Sequence, residues 1–197
     1  MQHWTGDIMT ITYSKTNYYL IPCRLGYMLI DAGWVGKLDR FKKCLDTLNI
    51  RLDEIKYIFL THHHHDHVAL VQDLRELTHA KLIIHRLQIP FITEGITDHS
   101  KVRQYNWILL IIDRILRPFI SFDYKPIRID DTDFVIDNDI DENTLRHIDV
   151  EGRVVSTPGH SGDSMSILLD NGDAYVGDLA MDLMGLICKP PLPVEAE

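Results

Sequence analysis

The apolar run Ile55-Lys56-Tyr57-Ile58-Phe59-Leu60 empties directly into Thr61-His62-His63-His64-His65-Asp66-His67. Five imidazoles and a carboxylate thus follow one strand within six residues. Imidazole nitrogen and carboxylate oxygen are the donors that zinc and its borderline neighbours accept. Buried without a cation, so many of them would repel one another or stay unsatisfied. The segment is internal and contains Asp66, so it is not an expression tag. A strand that ends this way has few explanations other than a metal site, the bland one being a polyhistidine surface loop of no function.

Alternate side chains of an extended segment share a face, which puts His62, His64 and Asp66 on one side and His63, His65 and His67 on the other. Leu70, Val71, Leu74 and Leu77 recur at helical spacing, so Val68 to Leu77 is expected to be a helix. Its first turn swings His67 back beside Asp66. The expected set is therefore His62, His64, Asp66 and His67, with His63 and His65 pointing away. The rival triplet His63, His65 and His67 also has period two, but it strands the carboxylate.

Three further fragments carry candidate chemistry. Leu29-Ile30-Asp31-Ala32-Gly33 contains an Asp-x-Gly turn, Thr157-Pro158-Gly159-His160-Ser161 presents one imidazole from a Pro-Gly turn, and Tyr175-Val176-Gly177-Asp178 ends a strand on a carboxylate. Each also has a bland reading: ordinary turn chemistry for Asp31, a surface histidine at 160, and a helix N-cap at Asp178. Together with His62-x-His64-x-Asp66-His67, the four fragments in this order resemble the signature of the metallo-β-lactamase-fold hydrolases, over roughly residues 8 to 180.

The resemblance implies an α/β fold, a four-layer αββα sandwich. It implies that His62, His64 and His160 hold a first metal, and that Asp66 and His67 hold a second with Asp178 bridging. Asp31 has a supporting role, and Asp66 is the catalytic carboxylate. Two Zn²⁺ per chain are expected, with Fe or Mn as alternatives, since imidazole and carboxylate suit all three. The implied chemistry is hydrolysis of an ester, thioester or lactone by a metal-bound hydroxide. His64 stands where the redox flavodiiron branch has a glutamate. Val68-Ala69-Leu70 departs from the small residue pair usual in glyoxalase II-like thioesterases. A mononuclear iron dioxygenase of the persulfide-oxidising type and a non-catalytic metal-binding protein are the alternatives. The family usually closes its second site with a histidine well downstream of the bridging aspartate, and this sequence has none after His160. The expectation is a shortened chain, lacking part of the C-terminal half; the alternative is a second site closed by water, another residue or another subunit, and weak or absent occupancy of the second metal is the alternative to two ions.

The 197 residues are read as a single metallo-hydrolase domain, 1–197, with a helical insertion at about 91–124. That insertion holds Trp107-Ile108-Leu109-Leu110-Ile111-Ile112, too short for a membrane span. The 105–120 segment is a candidate homodimer contact, and Tyr105 reads as a packing tyrosine, with an oxyanion donor as the alternative. A formal charge of −9 opposes a nucleic-acid surface, so the expected partner is a small-molecule substrate, with no nucleic acid and no membrane. Cys23, Cys44 and Cys188 form no close pair and no secretory signal is visible, which together predict a cytoplasmic protein with free thiols.

Strands are expected at Ile8 to Tyr13, Tyr18 to Pro22, Tyr27 to Ile30, Lys81 to Ile84, Arg153 to Ser156, Ser164 to Leu169 and Ala174 to Val176. Asp170-Asn171-Gly172-Asp173 reads as a hairpin turn. Gly36 to Asn49 reads as an amphipathic helix with Leu38, Phe41, Leu45 and Leu48 on one stripe. Asp137 to Asp141 reads as a solvated acidic loop.

Overall fold

A computed structural model describes residues 8–13, 16–98, 122–180 and 194–195. The strands are β1 (Met9–Tyr13), β2 (Thr16–Cys23), β3 (Gly26–Ile30), β4 (Ile55–Phe59), β5 (Lys81–His85), β6 (Phe134–Ile136), β7 (Ile140–Asp141), β8 (Gly152–Ser156), β9 (Met165–Leu169), β10 (Ala174–Tyr175) and β11 (Val194–Glu195). The α-helices are α1 (Leu38–Thr47), α2 (His65–Val68), α3 (Val71–Thr78), α4 (Ile89–Glu94) and α5 (Thr144–His147).

One sheet runs β11-β1-β2-β3-β4-β5-β6 and a second runs β10-β9-β8-β7. Strands β3 to β6 are mutually parallel, so the carboxyl ends of β3, β4 and β5 lie on one edge. The second sheet is antiparallel throughout.

The large sheet is covered on both faces, which explains why β3, β4 and β5 read as nearly continuous apolar runs rather than alternating ones. Tyr18, Leu20, Leu29, Ile58, Leu82 and Ile84 face the helices and pack with Phe41 and Leu45 of α1, Val71 and Leu74 of α3, and Ile92 of α4. Their neighbours Ile21, Cys23, Met28, Ile30, Phe59 and Ile83 face the second sheet and meet Val154, Met165, Ile167 and Tyr175. A register shift at Tyr27/Met28 sets Tyr27 against Ile55 but Met28 against Tyr57, so Ile55 joins Ile58 on the helix side. The α/β sandwich predicted from sequence is present. Among the described residues helices cover the outer face of the large sheet, and no helix is long and apolar enough to cross a membrane.

Several expectations are corrected. The helix after the histidines begins at His65, pauses at Ala69-Leu70 and resumes at Val71, and Leu77 is 48% exposed rather than part of the buried stripe. Inside the acidic run, Ile140 and Asp141 pair with Val155 and Val154 as an edge strand. On the edge of the large sheet, Val194 and Glu195 pair with Ile11 and Thr12. Of the 91–124 segment, Phe91 to Glu94 belong to α4. Residues 99–121, with Tyr105 and the candidate dimer contact, lie outside the described residues, as does Cys188.

Cys23 and Cys44 are free, buried thiols, and burial pushes the Cys23 thiol up to about 11. Alkylation of Cys23 by iodoacetamide at pH 8 should therefore be very slow in the native protein and fast in urea, checked by peptide mass spectrometry. Phe59, fully buried between the sheets, should cost about 3–5 kcal/mol when cut to alanine, measured by urea unfolding.

Candidate metal centre

The carboxyl ends of β3 and β4 meet at a buried carboxylate. Asp31, with a left-handed φ of 59°, turns the chain out of β3. Its Oδ1 accepts the Thr61 amide at 2.8 Å, and its Oδ2 accepts the Thr61 hydroxyl at 2.7 Å and His67 Nδ1 at 2.7 Å. An ionised carboxylate only accepts, so the single hydroxyl proton of Thr61 is committed to Asp31. The contact of 3.0 Å between Thr61 Oγ1 and His62 Nδ1 then has the ring N–H as donor. Asp31 orients His67 directly and His62 through Thr61, and leaves Nε2 of each ring for a ligand.

The two glycines of these turns are required by close approach. A Cβ on Gly33 would lie 1.8 Å from the Asp66 carbonyl oxygen and 2.5 Å from the His67 amide nitrogen. Next to it the Ala32 amide donates to the His67 carbonyl at 2.6 Å, and Leu70 N–H returns to the Ala32 carbonyl at 2.8 Å. Gly177 has a φ of 52°, and a Cβ there would lie 2.7 Å from Thr61 Oγ1. Removing that side chain lets the turn before Asp178 press against the β4 end.

Two groups of donors converge: His62, His64 and His160, and His62, His67 and Asp178, with all ligand atoms of a group within 4.8 Å of one another. His62 belongs to both, so five side chains from three loops surround one small space. His160 Nε2 lies 2.9 Å from His64 Nδ1, close to the roughly 3.3 Å that separates two nitrogens on one tetrahedral zinc. Asp178 reaches both groups, Oδ1 at 3.2 Å from His67 Nε2 and Oδ2 at 3.5 Å from His160 Nε2. Asp66 stands at the rim. Its Oδ2 is 3.7 Å from His67 Nε2 and accepts the Thr16 hydroxyl at 3.3 Å, and it joins neither convergent group.

The structure turns His63 away from this space: its ring stacks on Phe91 with centroids 4.2 Å apart, and its Nδ1 lies 2.8 Å from Asp163 Oδ2. His65 packs edge-on to Trp34 and against Phe122. The rival triplet of His63, His65 and His67 is not brought together. Asp163 and Thr61 were not singled out from sequence. Thr61 could have been found as the residue linking the strand to the first histidine, whereas nothing local marks Asp163.

The electrostatics fit a cation. Burial, and then the neighbouring imidazoles, hold His62 well below the usual histidine range, so it is neutral with an available lone pair. Burial also opposes charge on His67, but Asp31, Asp178 and Asp66 together outweigh it and hold that ring well above the ordinary value. Burial similarly disfavours the Asp178 carboxylate, and the His67 contact overcomes this and lowers it. A proton on His67 therefore supplies positive charge where a cation would. Nε2 of His62 is buried with no hydrogen-bond partner, the state expected of a ligand atom rather than of a packed core histidine, and Nε2 of His67 meets the Asp178 carboxylate.

Substituting Gly33 with alanine should cost about 2–4 kcal/mol and weaken metal retention, because the Asp66-His67 backbone must shift. Asp31→Asn should leave the fold intact yet weaken metal affinity about 10–100-fold, read by competition with a chromophoric chelator.

A sequence model described as metallo-beta-lactamase superfamily matches residues 12–182. Among solved structures, a metallo-beta-lactamase from Cronobacter sakazakii with an HARLDQ motif superposes with a TM-score of 0.58 at 16% identity, over 84% of this chain and 58% of that one. BJP-1, a subclass B3 metallo-beta-lactamase of Bradyrhizobium japonicum, gives 0.57 at 20% identity, over 84% and 58%. MIM-1 from Novosphingobium pentaromativorans gives 0.58 at 18% identity, over 87% and 60%. The chain thus spans less than two thirds of the length of these structures, and the likeness is one of fold.

Proposed function

Because the chain belongs to the metallo-beta-lactamase superfamily, we propose that it is a metal-dependent hydrolase of a small ester, thioester or lactone, holding zinc between His62, His64, His160, His67 and Asp178. The observation that carries the reading is the pair of donor groups that share His62, whose buried Nε2 has no hydrogen-bond partner.

The residues divide the work by geometry. His62, His64 and His160 form an all-nitrogen set suited to the first ion. His67 and Asp178 offer a second position that Asp66 completes from the rim, a set of only three protein donors and so the weaker of the two. Bound there, the ions would supply Lewis acidity toward a carbonyl and a water whose pKa falls to about 7. Asp66, 24% exposed and outside the convergent groups, is placed to hold a proton on its carboxylate and pass it to a leaving group. Its neighbour Thr16 fixes one carboxylate oxygen and leaves the other toward solvent and His65. No serine or cysteine nucleophile is needed, and the thiols of Cys23 and Cys44 are buried. A formal charge of −9 supports a small molecule over a nucleic acid as substrate, and the free thiols support a reducing compartment such as the cytoplasm.

Elemental analysis of the purified protein should find zinc, and chelation should abolish turnover on a panel of esters, thioesters and lactones. Asp178→Ala should remove the second ion and most activity. Asp66→Asn should lower kcat about 10²–10⁴-fold with KM little changed. Metal binding should strengthen as pH rises, because His67 holds a proton in the metal-free protein and must release it to become a ligand. One iron per chain with oxygen-dependent turnover would replace hydrolysis by redox chemistry, and unchanged occupancy in Asp178→Ala would remove Asp178 from the site.

A further inference from the structure

We propose that His63 and Asp163 form a clamp that positions His160 within the three-histidine group, an inference that rests on the metal-site reading above. The ligands of that group come from two sheets. His62 and His64 follow β4 in the large sheet, whereas His160 sits on the connection between β8 and β9 in the small one. Correct spacing therefore depends on how the two loops are joined.

His63 lies between the two ligands of one loop, and Asp163 lies three residues beyond the ligand of the other. Because side chains alternate along an extended segment, turning His62 and His64 toward the metal space turns His63 to the opposite side. There its ring is fixed on every edge. Nε2 accepts the Asp98 amide at 3.1 Å, which places the ring proton on Nδ1, and Nδ1 donates to Asp163 Oδ2 at 2.8 Å. The His63 amide donates to the same oxygen at 3.1 Å, the ring stacks on Phe91, and the His63 carbonyl accepts the Tyr124 hydroxyl at 2.9 Å. His63 and Asp163 are 2% and 3% exposed.

The His160 loop is otherwise held to itself: Thr157 N–H donates to the Ser164 carbonyl at 2.9 Å, Gly159 N–H to the Ser161 carbonyl at 3.1 Å, and the Ser161 and Ser164 hydroxyls lie 2.7 Å apart, bonds that do not reach the large sheet. Pro158, Gly159 and Gly162 are exposed, and a Cβ on Gly162 would meet nothing within 4 Å. Asp163 is the first residue after that tip whose side chain reaches the large sheet's loop. Gln88 reinforces the join from α4's side, donating from Nε2 to the Leu60 carbonyl at 3.0 Å and to the Asp163 carbonyl at 3.3 Å, and Met165 N–H donates to the Thr61 carbonyl at 2.8 Å. A buried polar pair of this kind fixes register between packed elements where an apolar pair would fix only proximity.

The test is zinc binding by the whole chain, followed by chelator competition and by X-ray absorption to count imidazoles on zinc. His63→Phe keeps the stack on Phe91 and removes the donor; His63→Asn keeps a donor at the position of Nδ1. Affinity at the three-histidine group should fall about 10–100-fold in His63→Phe, with loss of one imidazole from the zinc shell, and return to within about threefold of wild type in His63→Asn. The paired variant His63→Phe/Asp163→Leu replaces the clamp by an apolar contact. It should match wild type in urea unfolding more closely than either single variant while still binding zinc weakly, a result that a purely stabilising role would not give. Asp163→Asn serves if those variants fail to fold, with an intermediate loss of affinity expected. An unchanged shell and an affinity within twofold of wild type in His63→Phe, or in Asp163→Asn where His63→Phe does not fold, would overturn the clamp alone. Absence of zinc from the wild-type three-histidine group would overturn both the clamp and the metal-site reading. Wild type that binds zinc but cleaves no ester, thioester or lactone would overturn hydrolysis and leave the clamp supported by its affinity data.

Discussion

A single buried carboxylate, Asp31, holds the candidate metal centre in order. It receives three hydrogen bonds, two from Thr61 and one from His67, and through them sets the rings of two histidines, His62 and His67, that belong to the convergent donor groups. A charge that deeply buried is costly unless its lone pairs are filled, and filling them is what fixes the rings. The left-handed turn at Asp31, the missing side chain at Gly33 and the helix that starts at His65 all serve the same approach of the β3 and β4 ends. Without that approach the histidines would be a polar loop at the end of a strand.

The centre also shows how an α/β sandwich makes a site that neither sheet contains. Parallel strands β3 to β5 bring Asp31 and the histidine loop to one edge, in the crevice beyond the carboxyl ends of strands where such folds bind ligands. The second sheet delivers His160 and Asp178 from the opposite side. Its loops have their own anchors, Asp163 on His63 and Gly177 against Thr61. The converging donors are therefore as far apart in sequence as His62 and Asp178, yet each is tied to the same short stretch, Thr61 to His67.

Much of this was legible in the chain. The period-two argument separated His62 and His64 from His63 and His65, and the apolar runs marked the strands of the core, because strand burial leaves a direct trace in composition. Helix α1 was also readable, since Phe41, Cys44 and Leu45 face the core at helical spacing. What failed was local and weakly patterned. Strand β7 is two residues long inside an acidic run, and it exists because Val154 and Val155 offer it a ladder. The start of α2 at His65 was missed because its residues carry no apolar period, and the turn is set by packing against Ala32 and Gly33 rather than by propensity.

The sequence by itself determined that a strand would end in metal-binding side chains and which alternate residues would share a face, since both follow from covalent geometry and donor chemistry. Only the tertiary structure decided that Asp66 stands at the rim while His62 is common to both groups, and that His63 meets Asp163. Those outcomes depend on how two sheets pack, and packing is fixed by distant apolar contacts and close glycine approaches that no local stretch of residues encodes.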